Sequence, residues 1–268
     1  MDDKLSGLVL WLQELDSAAI AVSGGVDSTT LAVIAHRAGR GAATMFHAVS
    51  PAVPPEATER VRRYARDEGW NLRVFDAGEF GDANYLRNPI DRCFFCKTHL
   101  YRAIADRTTA TLLSGTNIDD LGDFRPGLGA ARTFDVRHPY VEVGIDKLTI
   151  RAIASGLGLD DVAELPAAPC LASRVETGIA IAPADLTAIN RVERAMRELL
   201  RPEVVRCRLR ADGIVVELDE ATLGALSERR RQELHDVARA AWRGRGDRPV
   251  WLAKYRRGSA FLRAGSSR

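Results

Sequence analysis

Cysteine is scarce here, with four residues in a chain of 268, and no apolar run approaches the roughly 20 residues a bilayer-spanning helix needs. The first lack argues against a disulfide-built secreted scaffold, and the second against a helical membrane span. The opening MDDKLSGLVLWLQELD carries acids where a secretory leader carries bases, and it reads as an amphipathic helix. A cytoplasmic protein with reduced thiols and no membrane partner is therefore expected. Internal repeats and low-complexity tracts are also missing. So is any long Lys/Arg tract with interleaved aromatics, which leaves nucleic acid without its usual footprint. Neither GxxxxGKS/T nor GxGxxG occurs, so the P-loop NTPase and Rossmann fingerprints are absent.

What is present is ordinary globular composition, 46% apolar and 28% charged, with length for one large domain or two smaller ones. The net charge of +2 hides an asymmetry: acids outnumber bases over residues 1–165, and bases outnumber acids over 166–268. A basic C-terminal part suits an anionic partner, either nucleic acid or a phosphorylated small molecule. A run such as ERRRQ (228–232) serves equally as solvated surface.

Apolar runs alternate with helical periodicity through the first half. DSAAIAV (16–22) reads as a buried strand, and AATMFHAV (42–49), NLRVFDA (71–77) and ATLLSG (110–115) as three further strands, with helices between them. Such alternation predicts an α/β fold, a parallel sheet covered by helices on both faces, over residues 1–165. LPAAPCLASRVETGIAIAP then reads as a loop, and PADLTAINRVERAMRELL (183–200) as an amphipathic helix. VVRCRLRADGIVVELD (204–219) predicts a hairpin, and with a helix near 226–241 and a strand at 249–255 it predicts a smaller α+β domain over 166–268.

The segment AIAVSGGVDSTTLAV (19–33) carries the chemistry. A strand runs into Ser23-Gly24-Gly25-Val26-Asp27-Ser28 and a helix starts at once. Glycines let the backbone turn and approach a ligand closely, and the helix N-terminus offers N–H groups at the positive end of its dipole. Ser23 and Ser28 add hydroxyls, and Asp27 is a candidate ligand for Mg²⁺ bridging phosphate oxygens. Gly115, Thr116 and Asn117 follow the fourth strand, at the sheet edge where nucleotides bind in open α/β folds. Asp119, Asp120 and Asp123 cluster beside them, each readable from the residues alone as a turn or helix-capping aspartate; Arg125 suits an ion pair with Asp123 or a phosphate contact.

SGGVDS resembles the PP-loop of the ATP pyrophosphatases, the adenine nucleotide alpha hydrolase-like group that includes NAD synthetase, GMP synthetase and tRNA thiolation enzymes. That resemblance implies cleavage of ATP between its α and β phosphates and transfer of AMP to a substrate oxygen. NPIDRCFFCKTHLY (88–101), SGTNIDDLGDFRPG (114–127), VRHPYVEVGIDK (136–147), PCLASR (169–174) and GSAFL (258–262) are similar to the LarE family. The implied activity is an ATP-dependent sulfur transferase in nickel-pincer nucleotide biosynthesis. It adenylates a carboxylate of pyridinium biscarboxylic acid mononucleotide, a small-molecule nucleotide substrate, and converts it to a thiocarboxylate. A homo-oligomer is implied as well, and so is a part for some of Asp119, Asp120 and Asp123 in ATP binding, Mg²⁺ binding or positioning, with Asp123 of the D-x-RPG string ranked first. RVETG (174–178) departs from the family's RIPYG, GIVVEL (213–218) from its ARIEV-like strand, and Arg132 stands near a position where an acid is expected.

The resemblance leaves the sulfur donor open among three readings. Cys93, Cys96 and Cys170 match a three-cysteine pattern that holds a 4Fe-4S cluster, and three thiolates leave one iron free for a further ligand. Alternatively Cys170 alone gives up its own sulfur. Or the CxxC is a zinc half-site or an incidental pair; Cys207, in a predicted strand, reads as a small core residue. Arg174, Arg206 and Arg208 are the candidates for binding the anionic substrate, the last two on one strand face, and a solvated basic face is the bland alternative. Two other functions compete with the whole reading: a PP-loop tRNA thiolase, and a non-enzymatic iron–sulfur or nucleotide-binding scaffold.

Overall fold

The structure, a computed structural model, describes residues 2–39, 42–122, 124–167, 169–246 and 248–261. The chain divides into two compact units, Met1–Asp82 with Asp91–Ala168, and Ala83–Ile90 with Pro169–Arg268. In chain order, the first part supplies α1 (Asp2–Gln13), β1 (Ala18–Ala21), α2 (Val26–Ala38), β2 (Ala43–Ala48), α3 (Pro55–Glu68) and β3 (Asn71–Phe75). The short α4 (Ala83–Leu86) belongs to the second unit. The first unit resumes with α5 (Arg92–Ala105), β4 (Thr111–Leu113), α6 (Gly127–Thr133), α7 (Pro139–Glu142), α8 (Lys147–Gly156) and α9 (Asp160–Ala163).

Its four strands form one parallel sheet in the order β3-β2-β1-β4. β1 reads AAIA because both its faces are covered. Ile20 lies in an apolar cluster with Leu8, Leu31, Ile150 and Val162, from α1, α2, α8 and α9, whereas Ala19 packs with Phe46, Tyr101, Ile104 and Ala130. Alternate residues of one strand thus meet two separate helical layers, which is why the run is continuously apolar instead of alternating. The chain leaves β1 toward β2 on one side and returns at β4 on the other. The carboxyl ends of β1 and β4 therefore flank the point where strand order reverses, the usual crevice for ligands in open α/β sheets.

The second unit adds α10 (Pro183–Leu200), β5 (Val205–Arg210), β6 (Gly213–Leu218), α11 (Glu220–Gly224), α12 (Glu228–Ala241) and β7 (Val250–Lys254). β5 and β6 pair antiparallel, and β7 adds parallel to β6, giving a three-stranded mixed sheet. Residues 83–90 are bonded into this unit: Asn88 Nδ2 donates to the Val175 and Glu176 carbonyls, at 3.3 and 2.9 Å, and Gly178 N donates to Asn88 O at 2.9 Å. Among the described residues no helix is long and apolar enough to cross a membrane.

Candidate functional site

The turn after β1 is built for close approach. Gly24 has φ +79°, and a Cβ there would lie 2.7 Å from the Ala57 carbonyl oxygen, so only glycine fits. Gly25 is the N-cap of α2 and supplies no side-chain cap. The first N–H groups of a helix have no intrahelical partner, so this end of α2 combines open donors with the positive pole of the dipole. Ser23 and Ser28, expected as ligand donors, bond to each other: Ser23 N donates to Ser28 Oγ at 3.0 Å, and the two hydroxyls are 3.0 Å apart. They close the turn into a ring around its glycines.

Gly115 brings the second strand end against the first. A Cβ at this position would stand 2.9 Å from both Asp27 C and Ser28 N, so the loop after β4 rests directly on the start of α2. Beyond it, Thr116 Oγ1 is 3.0 Å from Ser114 Oγ, and Ser114 Oγ is 2.8 Å from His138 Nδ1. Buried Asn117 donates to Asp27 Oδ1 at 3.3 Å, while its own Oδ1 accepts from Asp119 N at 3.0 Å. The expected Gly25–Asp27–Ser28 group and the Gly115–Thr116–Asn117 group thus meet at one edge. Asp123 lies outside the described residues. Arg125, matched in the sequence to Asp123 or a phosphate, pairs with Asp120 at 2.5 Å.

Three further residues of this edge were not singled out from the sequence. Lys147 Nζ lies 2.5 Å from Asp27 Oδ2, and its backbone N donates to Asp119 Oδ2 at 2.9 Å. Tyr140, fully buried, donates its hydroxyl to the Asp27 carbonyl at 3.0 Å, and burial, then the nearby Asp27 charge, raise its pKa well above the ordinary value. His138 is pulled below the ordinary histidine pKa by burial and by the Lys97 charge, against Glu142 and Asp120. All three lie in VRHPYVEVGIDK, and Lys147 is the first residue of a helix capped by Asp146, whose carboxylate accepts from Thr149 N at 2.8 Å.

The thiols fall in both units. Cys93 and Cys96 are partly exposed in the first turn of α5, and Cys170 is exposed at the N-cap of a 3-10 turn, Leu171–Arg174, in the second unit. Cys207 is buried, and burial pushes its thiol far up. Among the described residues no group of three His, Cys, Asp or Glu side chains is assembled for a metal ion.

The arginines expected to bind the anionic substrate have partners within the protein. Arg174 and Arg208, read as ligands for an anion or as solvated charge, are both buried in ion pairs. Arg174 forks onto Glu193 at 2.9 and 3.1 Å, and Arg208 Nε meets Glu217 at 3.0 Å. Arg197 and Arg210 share the same two carboxylates. Burial pushes Glu193 up, but Arg174, its hydrogen bond, Arg197 and Arg206 bring it below the usual value. Arg206 stacks over Tyr255, 5.9 Å from the ring centre, and its pKa is lowered to about 10, first by burial and then by Arg174.

No family model matches the chain. It is 37% identical over 203 residues to the uncharacterized protein slr1717 of Synechocystis sp., covering 74% of this chain and 75% of that one. It is 28% identical over 226 residues to the pyridinium-3,5-bisthiocarboxylic acid mononucleotide synthase of Lactiplantibacillus plantarum, covering 82% and 81% of the two. The chain belongs to a LarE-like family. The uncharacterized protein MJ0830 of Methanocaldococcus jannaschii is similar as well, 25% identical over 214 residues. For this LarE-like chain the matches run across most of its length, so they span both compact units.

Proposed function

We propose that the chain is an ATP-dependent sulfur transferase that adenylates a carboxylate of pyridinium biscarboxylic acid mononucleotide and replaces one of its oxygens by sulfur. The similarity to a synthase named for the bisthiocarboxylic product supports this substrate. The observation that carries the ATP half is the glycine turn, whose uncapped helix N-terminus lies where strand order reverses.

In this reading Ser23, Gly24, Gly25 and Ser28 receive the departing pyrophosphate, and Gly115, Thr116, Asn117 and Asp123 line the nucleotide. A substrate carboxylate oxygen attacks the α-phosphorus, the bond to the bridging oxygen of the β-phosphate breaks, and pyrophosphate leaves. A sulfur nucleophile then adds to the acyl carbon, and AMP departs with the carboxylate oxygen. Oxide is a hopeless leaving group and AMP a good one, which is what the ATP is for. Preorganised N–H donors suit this step because negative charge moves onto the leaving phosphates. Lys147, paired with Asp27 at the mouth of the turn, supplies a mobile cation for the same charge.

Asp27, a partly exposed carboxylate, fits as the residue that would hold Mg²⁺, which when bound neutralises phosphate charge. The sequence resemblance, and not an assembled site, supports a 4Fe-4S cluster on Cys93, Cys96 and Cys170; each thiol is at least partly exposed, thiolates are the donor chemistry such a cluster takes, and when bound it would supply transferable sulfide. Sacrifice of the Cys170 sulfur remains the competing source, and its exposure supports that route equally. Of the three arginines, Arg206 over the Tyr255 ring is the one proposed to meet an anionic substrate, because Arg174 and Arg208 already hold Glu193 and Glu217.

The test is anaerobically purified protein, assayed for iron and acid-labile sulfide and then mixed with ATP, Mg²⁺ and the pyridinium mononucleotide. Substrate-dependent pyrophosphate release, with the mass change of oxygen-for-sulfur exchange, is expected. No pyrophosphate with substrate present overturns the reading. Iron-free protein that acts once while Cys170 loses the mass of H₂S assigns the sulfur to that residue.

A further inference from the structure

The back of the glycine turn is held by α3. The face of this helix that packs on the core repeats at three- and four-residue intervals: Ala57, Val61 and Tyr64, the last two buried in the large apolar cluster. Arg60 follows Ala57 by one turn, and Arg60 NH1 donates to the Gly24 carbonyl at 2.9 Å. Beside it, Thr58 Oγ1 is 2.9 Å from His47 Nε2, and His47 Nδ1 is 2.8 Å from the Val22 carbonyl. A carbonyl accepts only, so Nδ1 carries the proton and Nε2 accepts from the Thr58 hydroxyl. Two carbonyls of the turn, Val22 and Gly24, are thus each tied to a side chain behind it.

This has a directional consequence. A peptide unit is planar and trans, so its N–H points opposite to its C=O. Tying the Gly24 carbonyl to Arg60 aims the Gly25 N–H away from α3, and tying the Val22 carbonyl to His47 of β2 turns the Ser23 N–H away from that side chain, toward Ser28 Oγ. Gly24 has the least steric restraint of any residue type, so a turn through it needs outside fixing to hold one orientation. Arg60 is half-buried over this contact, and the carboxylates of Asp161 and Glu56 act on it electrostatically besides.

We propose that Arg60 is a positioning residue that, with the Thr58–His47 relay, holds the Gly24 turn from behind so that the Gly25 N–H faces the phosphates of ATP. The proposal deepens the nucleotide reading above and rests on it for the identity of the anion. Arg60 touches no reacting atom. It sets the direction of the groups that do.

Amide hydrogen exchange followed by mass spectrometry reads the turn without nucleotide, and equilibrium binding of ATP reads its use. In R60A, peptides covering residues 22–29 are expected to exchange roughly tenfold faster, the size of one charged hydrogen bond, while α3 and β1 keep their protection. The dissociation constant for ATP should rise by about the same factor. R60K, which keeps a charged donor, should recover part of both, and T58V should shift both in the same direction by less. Unchanged exchange across the turn in R60A overturns the proposal, as does R60K matching R60A in both readouts. If R60A loses protection throughout, T58V decides: a local rise at the turn supports the brace, and no rise sinks it. A wild-type protein that binds no ATP sinks the nucleotide reading, while the exchange measurement still decides what Arg60 holds.

Discussion

Lys147 Nζ and Asp27 Oδ2 lie 2.5 Å apart, joining the first turn of α8 to the first turn of α2. Both side chains are about a quarter to a third exposed, so solvent screens the pair and it contributes only about 0–1 kcal/mol to stability. K147M should therefore lower the unfolding free energy by no more than ~1 kcal/mol yet cut substrate-dependent pyrophosphate release at least tenfold. Thermal melts and a pyrophosphate assay on one preparation check this. A variant that melts like the wild type and releases pyrophosphate like it removes Lys147 from the site.

Gly24 and Gly115 should be intolerant of a single methyl for different reasons. At Gly24 the strain of positive φ adds to a 2.7 Å contact with the Ala57 carbonyl; at Gly115 only the 2.9 Å contacts with Asp27 C and Ser28 N matter. G24A should cost on the order of 1–3 kcal/mol of stability along with ATP binding. G115A should weaken ATP binding by pushing α2 away from the loop after β4. Calorimetric titration with ATP checks both, and wild-type affinity in either would remove its loop from the cradle.

Glu193 should be the most stability-critical carboxylate in the second unit. It accepts from Arg174, Arg197 and the Cys207 backbone N–H. E193Q leaves two guanidinium groups without their counter-charge, and removing one partner of a buried pair costs about 3–5 kcal/mol. Urea unfolding should show the loss as a lower midpoint at unchanged slope. A loss under ~1 kcal/mol would show that the network is solvated.

Acid should loosen the back of the turn. Burial holds His47 below the ordinary histidine pKa, opposed by the Val22 carbonyl and reinforced by Arg62. The fold therefore favours neutral imidazole. Its contribution is complete above the unfolded value of about 6.5 and is lost as pH falls through the lowered folded value. Between pH 7 and 5 the wild type should lose more melting temperature than H47Q, which has no proton to gain there. Parallel pH curves for the two proteins would assign the acid sensitivity to other groups.

Much of the first unit was legible because β1 and β2 are buried on both faces and read as short, largely apolar runs, whereas the edge strand β3 is mostly exposed, and SGGVDS announces a turn that only glycine can make. The role of Lys147 was hidden because it is set by tertiary placement, 120 residues from its partner along the chain. The ion pairs of Arg174 and Arg208 were hidden for a related reason. A basic strand face looks solvated or ligand-binding until the facing acids, Glu193 on a helix and Glu217 on the next strand, are placed beside it. The bonding of residues 83–90 to the second unit was equally illegible, since nothing local in ANYLRNPI marks it.

That segment sets an order of events during synthesis. Asn88 emerges from the ribosome long before Val175, Glu176 and Gly178, the residues it bonds to. A nascent chain that has completed all four strands of the parallel sheet must carry a loose loop in its middle until translation has passed residue 178. Its first half is thus exposed to proteases and chaperones for as long as the rest takes to arrive.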